Sequence, residues 1–169
     1  MSWYVIHVHT GKEEVVCNKI RTRVPADLWE ECFVPQVENI YKKAGEYKKV
    51  ISPLFPGYVF IVCQDPEKVA VSLRGVPDFT RILKTGEEFE PLRQQEVDCM
   101  LTLAGNEFRV EMSTGYIVGD KICIVDGPMK GMDGSIRKIN RHKRTAMVEV
   151  PFLGRPTLIR LPLEIVSKT

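Results

Sequence analysis

Long apolar runs are missing from this chain. The longest nearly unbroken stretch, Leu54 to Cys63, falls well short of the roughly 18 residues that cross a bilayer, and no charged-then-apolar leader opens the sequence. A soluble, cytoplasmic protein with no membrane partner is therefore expected. Cysteine is sparse: Cys17, Cys32, Cys63, Cys99 and Cys123 are odd in number, scattered, and never in a CxxC pair. That excludes a disulfide framework and a metal knuckle and leaves buried thiols. Histidine is rarer still. His7 and His9 sit two apart on one stretch, yet no further metal ligand accompanies them. Catalytic signatures are also absent, with no GxSxG, HExxH, GxGxxG or GxxxxGK[ST], and Gly127, Gly131 and Gly134 lack the Lys-Ser/Thr pair of a nucleotide loop. Neither an enzyme nor a cofactor or metal is expected.

What is present is enough for a core. At 169 residues and 44% apolar, the chain can form one well-filled domain or two small ones. Its net charge of +2 divides unevenly: residues 1 to 118 carry 14 Lys/Arg against 17 Asp/Glu, residues 119 to 169 carry 10 against 5. If a polyanion is bound, the back third meets it; otherwise the excess is a solvated surface.

The pattern predicts a strand at Trp3-Tyr4-Val5-Ile6-His7-Val8-His9, closed by Thr10-Gly11. An amphipathic helix from Lys12 to Val24 follows, with Val16, Cys17, Ile20 and Val24 on one face and Pro25 as its stop. Short extended pieces at Glu31 to Pro35 and Val37 to Tyr41 lead to a polar, basic hairpin tip over Lys42 to Lys49. Next comes Ser52-Pro53-Leu54-Phe55-Pro56-Gly57-Tyr58-Val59-Phe60-Ile61-Val62, where a stiff proline-glycine corner feeds a core strand. That corner is either a structural turn or a platform holding Phe55 and Tyr58 for docking. Asp65-Pro66-Glu67 begins a helix running to about Arg74, Phe79 to Leu83 reads as a strand and Arg93 to Leu103 as a helix. The mixture describes an α+β domain over residues 1–104.

Residues 105–118 read as a linker, rich in Gly, Asn, Ser and Thr. Beyond it, strands at Lys121 to Val125, Ser135 to Asn140, Thr145 to Val150 and Thr157 to Leu161, spaced by Gly/Pro turns, predict a small all-β barrel over 119–169. In the third of these, Ala146, Val148 and Val150 face one way and Thr145, Met147 and Glu149 the other. The run Arg137-Lys138-Ile139-Asn140-Arg141-His142-Lys143-Arg144 bridges two strands and, with Arg155 and Arg160 from the last hairpin, describes a basic face. Guanidinium groups there suit phosphates and base edges in a hairpin loop or bulge, although a nonspecific basic turn has the same composition.

Trp3-Tyr4-Val5, Gly11 before an amphipathic helix, Leu54-Phe55-Pro56-Gly57-Tyr58-Val59-Phe60 and Arg74-Gly75-Val76 together resemble the amino-terminal (NGN) domain of the NusG family of transcription elongation factors. Asp120, Asp126-Gly127-Pro128, Gly134 and Phe152-Leu153-Gly154-Arg155-Pro156-Thr157 resemble that family's carboxy-terminal KOW domain, an SH3-like barrel. The resemblance implies an NGN-type α/β sandwich over 1–104 that docks on the clamp helices of RNA polymerase through an apolar patch of Trp3, Tyr4, Phe55, Pro56 and Tyr58. It also implies that Lys19 and Arg74 contact the displaced non-template DNA strand, and that the protein acts as a monomer by binding.

Two departures stand out. The turn after Asp126-Gly127-Pro128 reads Met129-Lys130-Gly131-Met132, where housekeeping members carry aromatic residues and meet a ribosomal protein or Rho, and the 137–144 run is unusually basic. Both fit a specialised paralogue resembling the antiterminator LoaP, in which Arg137, Lys138, Arg141, His142, Lys143, Arg144, Arg155 and Arg160 bind a structured leader RNA hairpin. The alternative is a general elongation factor whose KOW domain binds Rho or a ribosomal protein.

Overall fold

The computed structural model describes residues 1–168, with the side chains of residues 79, 80 and 168 outside that description. Strand β1 (Ser2–Val8) runs into a turn at Gly11, whose φ of +93° suits glycine, and helix α1 (Glu13–Arg23) follows. Helix α1 stops where Val24 turns extended ahead of Pro25, as the clash of a proline ring with the preceding residue requires. Strands β2 (Glu31–Phe33), β3 (Gln36–Lys43), β4 (Glu46–Pro53) and β5 (Tyr58–Cys63) come next. Strands β3 and β4 are joined by Ala44-Gly45, both at positive φ, the backbone of a tight two-residue hairpin.

Helix α2 (Pro66–Ser72) starts as its sequence predicts: the Asp65 carboxylate accepts from the N–H groups of Glu67 at 3.1 Å and Lys68 at 3.2 Å, and Pro66 fills the first turn. After β6 (Phe79–Ile82) and the small β7 (Lys84–Thr85) and β8 (Glu88–Phe89) pair comes α3 (Gln94–Ala104). Buried Glu96 closes its start by accepting from Arg93 N–H at 2.8 Å. The remaining chain is β9 (Arg109–Val110), β10 (Ser113–Val118), β11 (Lys121–Asp126), β12 (Ile136–Asn140), β13 (Thr145–Phe152) and β14 (Arg155–Lys168).

Contacts gather the chain into two units that are not contiguous in sequence: Met1–Pro35 with Phe55–Val97, and Gln36–Leu54 with the chain from Asp98 onward. In the first, an antiparallel sheet in the order β2-β5-β1-β6 is packed on one face by α1 and α2. Tyr4, Ile6 and Val8 of β1 and Val59, Ile61 and Cys63 of β5 meet Val16, Cys17, Ile20, Val69 and Leu73 there. Cys17, Cys32 and Cys63 are buried as expected, whereas Cys99 and Cys123 are only half-buried, and burial, with Asp65 nearby, pushes the Cys63 thiol up to about 11.

The second unit holds a sheet in the order β4-β3-β9 and a five-stranded sheet in the order β11-β10-β14-β13-β12, with β3 packed against β14. Residues 113–118, expected within a linker, form β10, which pairs with β11 on one side and β14 on the other. Their weak periodicity has a simple cause: the buried positions at the start of this strand are Ser113 and Gly115, too small and too little apolar to mark an inward face. The expected front span of 1–104 is likewise interrupted, since β3 and β4 group with the back half. The edges β11 and β12 do not pair with each other among the described residues, so no ladder closes the five strands of the expected small barrel into a ring. Successive turns occupy the intervening segment, with Lys130 N–H donating to the Gly127 carbonyl, Met132 N–H to Met129 and Ser135 N–H to Met132, leaving no extended residues to complete a ladder.

Candidate partner-binding surfaces

The first candidate surface lies at the rim of the β2-β5-β1-β6 sheet face opposite α1 and α2, a face whose middle is covered, with Val5 1% and Phe60 0% exposed. Alternation along β1 and β5 sends Trp3, His7, Tyr58 and Phe60 to that side. Rings chain across it: Trp3 meets Phe33 edge-on at 5.1 Å, Phe33 stacks on Phe60 at 5.6 Å, Phe55 lies 5.9 Å from Phe60, and His7 lies 5.6 Å from Tyr58. The Phe55-Pro56-Gly57-Tyr58 corner is a turn closed by Tyr58 N–H on the Phe55 carbonyl, with proline at its second position and Gly57 at φ +88° at its third.

Glu13 holds that corner. Its carboxylate, 3% exposed, accepts from Gly11 N–H at 2.6 Å and from Gly57 N–H at 3.1 Å, tying the turn before α1 to the proline-glycine turn. Sequence reasoning missed this role. A glutamate two residues after a turn glycine reads only as an acid at a helix start.

The expected apolar patch is thereby divided. Trp3 and Tyr58 are half-buried and Pro56 is exposed, so these three present surface, whereas Phe55 and Tyr4 are 7% and 8% exposed. Phe55 is covered, with its ring against that of Phe60. Tyr4 faces the helix-covered core, because adjacent strand residues point to opposite faces. The residues carried over as DNA contacts sit elsewhere, Lys19 half-buried on α1 and Arg74 exposed just beyond α2, on the helical side of the sheet.

The second candidate surface lies in the second unit. Alternation in β13 buries Ala146, Val148, Val150 and Phe152 against Ile159, Leu161 and Leu163 of β14. The opposite face carries one rung of Lys138, Met147 and Arg160, adjacent across β12, β13 and β14. Between β12 and β13 the chain turns tightly: Lys143 N–H donates to Asn140 Oδ1 at 3.0 Å and Arg144 N–H to the Arg141 carbonyl at 3.3 Å. Arg141, His142 and Lys143 project exposed from this turn.

Arg144 is committed differently. Its guanidinium lies 4.6 Å over the Tyr47 ring, donates to the Tyr47 hydroxyl at 2.7 Å and stands 4.0 Å from Glu164. Arg137 donates to the Gly134 carbonyl at 2.6 Å and pairs with Glu149 at 2.9 Å, so much of its charge is used locally. Arg155 is exposed but stands at the other end of the β13–β14 hairpin, about 20 Å away at the usual rise per strand residue. The expected eight-residue basic face therefore resolves into a turn, Arg141 to Lys143, and a neighbouring rung of Lys138 and Arg160. In the sequence Tyr47 is only one residue of a polar hairpin tip. Its pairing with a residue far along the chain has no local signal.

Residues 1–101 match the family described as NusG, transcription termination factor nusG. Over 99% of the chain and 98% of the relative, the sequence is 29% identical to the transcription termination/antitermination protein NusG of Halalkalibacterium halodurans. The protein of the same name from Thermus thermophilus is 28% identical over the same shares. Among solved structures, that of Thermotoga maritima NusG, described in terms of its domain interaction, covers 95% of the chain and 93% of its own length at 27% identity and a TM-score of 0.59. With the family match extending over more than half its length, and relatives aligned from end to end, this chain belongs to the NusG family.

Proposed function

We propose that this NusG-family chain is a processive antitermination factor that holds RNA polymerase with its front unit and a structured leader RNA with its back unit. Trp3, Pro56 and Tyr58 would seat on the polymerase clamp helices, while Lys19 and Arg74, on the helical side, would reach the non-template DNA strand. In the KOW module, taken as the β10–β14 sheet, the Arg141-His142-Lys143 turn would grip the RNA hairpin, with Lys138 and Arg160 beside it.

The observation that carries this reading is three consecutive cationic or protonatable side chains projecting from a hydrogen-bonded turn, with one rung of further cations next to them. Four phosphate contacts from Arg141, Lys143, Lys138 and Arg160 would give a slope of log affinity against log salt of roughly −3 to −4. Arg141→Ala with Lys143→Ala should flatten it by about 2. Gel-shift titrations of the full chain against leader hairpins over a salt series test this; a salt-independent affinity, or no effect of the double substitution, refutes it.

A second reading has its own support. Val118, Val125, Leu158 and Val166 of the same sheet are exposed apolar side chains. Exposed apolar side chains of this kind would suit a protein partner, Rho or a ribosomal protein, as in a general NusG-type factor, if a partner bridges them. Saturable binding of purified Rho or the ribosomal protein that is lost in Leu158→Asp would favour it over RNA capture.

A further inference from the structure

Between the tip of the β3–β4 hairpin and the 141–144 turn, both within the second unit, lies a cleft of about 480 Å³ lined by Ile40, Tyr41, Lys42 and Tyr47 on one side and the basic turn on the other. Its volume is in the range of small-ligand sites. Its walls combine an aromatic ring with several cations. Lys42 and Tyr47 are cross-strand partners, so they share a face, and the Lys42 ammonium stands 5.8 Å from the centre of the Tyr47 ring. Arg144 is fixed at both ends, its backbone carbonyl accepting from Leu163 N–H at 2.9 Å and its guanidinium spread 4.6 Å over the same ring. Tyr47 nevertheless remains 57% exposed and Tyr41 45%, so aromatic surface is left for another planar group. The acid paired with Arg144, Glu164, lies 4.0 Å from it, and Arg141 and Lys143 stay exposed at the rim.

Ring, guanidinium and ammonium groups around one cleft are the chemistry that receives an unstacked base together with its phosphates. We propose that this cleft receives one unpaired nucleotide extruded from the RNA stem, its base stacked on Tyr47 and its phosphates held by Lys42, Arg141 and Lys143. The proposal rests on the RNA-binding reading and adds to it. The β3–β4 hairpin becomes part of the RNA site, and the protein selects a bulged stem over a fully paired one.

The test uses the full chain and two RNA hairpins of one stem sequence, fully paired or carrying a single bulged 2-aminopurine. The bulged hairpin should bind about tenfold tighter with its fluorescence quenched by stacking. Tyr47→Ala should erase that preference and the quenching, and Tyr47→Phe, which retains the ring, should restore both. If both hairpins bind equally without quenching while Arg141→Ala still weakens binding, the nucleotide cleft is refuted and the RNA reading stands. If neither hairpin binds, both fall. Wild-type behaviour in Tyr47→Ala, with the preference and quenching intact, also overturns the cleft.

Discussion

Glu13 shows how much one side chain can organise. A carboxylate buried to 3% exposure survives in a protein interior only if its oxygens are satisfied, and here both accept from backbone N–H groups of two turns that meet at the corner. Removing it orphans those donors. Glu13→Ala should therefore lower the unfolding free energy by about 3 kcal/mol in urea titrations, since hydrogen bonds to charged groups contribute about 1.5–3 kcal/mol each. Glu13→Gln, which retains one acceptor, should cost less. If the Phe55–Tyr58 turn, which hangs on this carboxylate, seats on RNA polymerase as proposed, retention on the polymerase should weaken in Glu13→Ala as well as in Tyr58→Ala. A Glu13→Ala protein within about 0.5 kcal/mol of wild type, the range of ordinary surface substitutions, would show that the clamp is incidental.

At the scale of elements, the glycines after β11 separate by what surrounds them. Gly127 has φ +101°, and a Cβ there would stand 2.5 Å from Ser113 Cα and 2.9 Å from the Met112 carbonyl oxygen. The approach is close because Ser113, fully buried at the start of β10, accepts from Met129 N–H through its hydroxyl at 3.0 Å and so draws the turn onto the strand. Gly131, at φ +86°, has nothing within 4 Å of the same position. Gly127→Ala should cost at least about 3 kcal/mol, combining left-handed strain with a backbone clash, whereas Gly131→Ala should cost about 1 kcal/mol from strain alone. Thermal melts of the two variants decide this, and equal losses would contradict it. The Asp126-Gly127-Pro128 motif can be read from sequence, but the reason for its glycine lies in a strand that sequence reading had placed in a linker.

For the molecule as a whole, the notable fact is that the β3–β4 hairpin, sequentially inside the front half, gathers with the back half. If that grouping reflects cooperative structure, loosening the β10–β14 sheet should loosen the hairpin with it. Hydrogen exchange on Gly127→Ala should show faster exchange across β3, β4 and β10 to β14, with β1 and β5 as protected as in wild type. Unchanged protection of β3 and β4 while the five-stranded sheet opens would assign the hairpin to the front unit instead.

Local physics was largely decided by sequence alone. Strand alternation, the Asp65-Pro66 helix start, the proline stop after α1, the burial of Cys17, Cys32 and Cys63 and the place of the basic run between two strands all follow from interactions within a few residues, which a linear pattern records. The likeness to the NusG family, carried by motifs at both ends of the chain, was legible for the same reason. Tertiary structure alone decided which groups meet: that Tyr4 turns inward and Phe55 is covered, that Glu13 joins two distant turns, that Tyr47 holds Arg144, and that Arg155 stands far from Arg141. Each depends on strand register and on contacts between segments remote in sequence, where one residue's shift exchanges the two faces of a strand, and that information belongs to the folded chain.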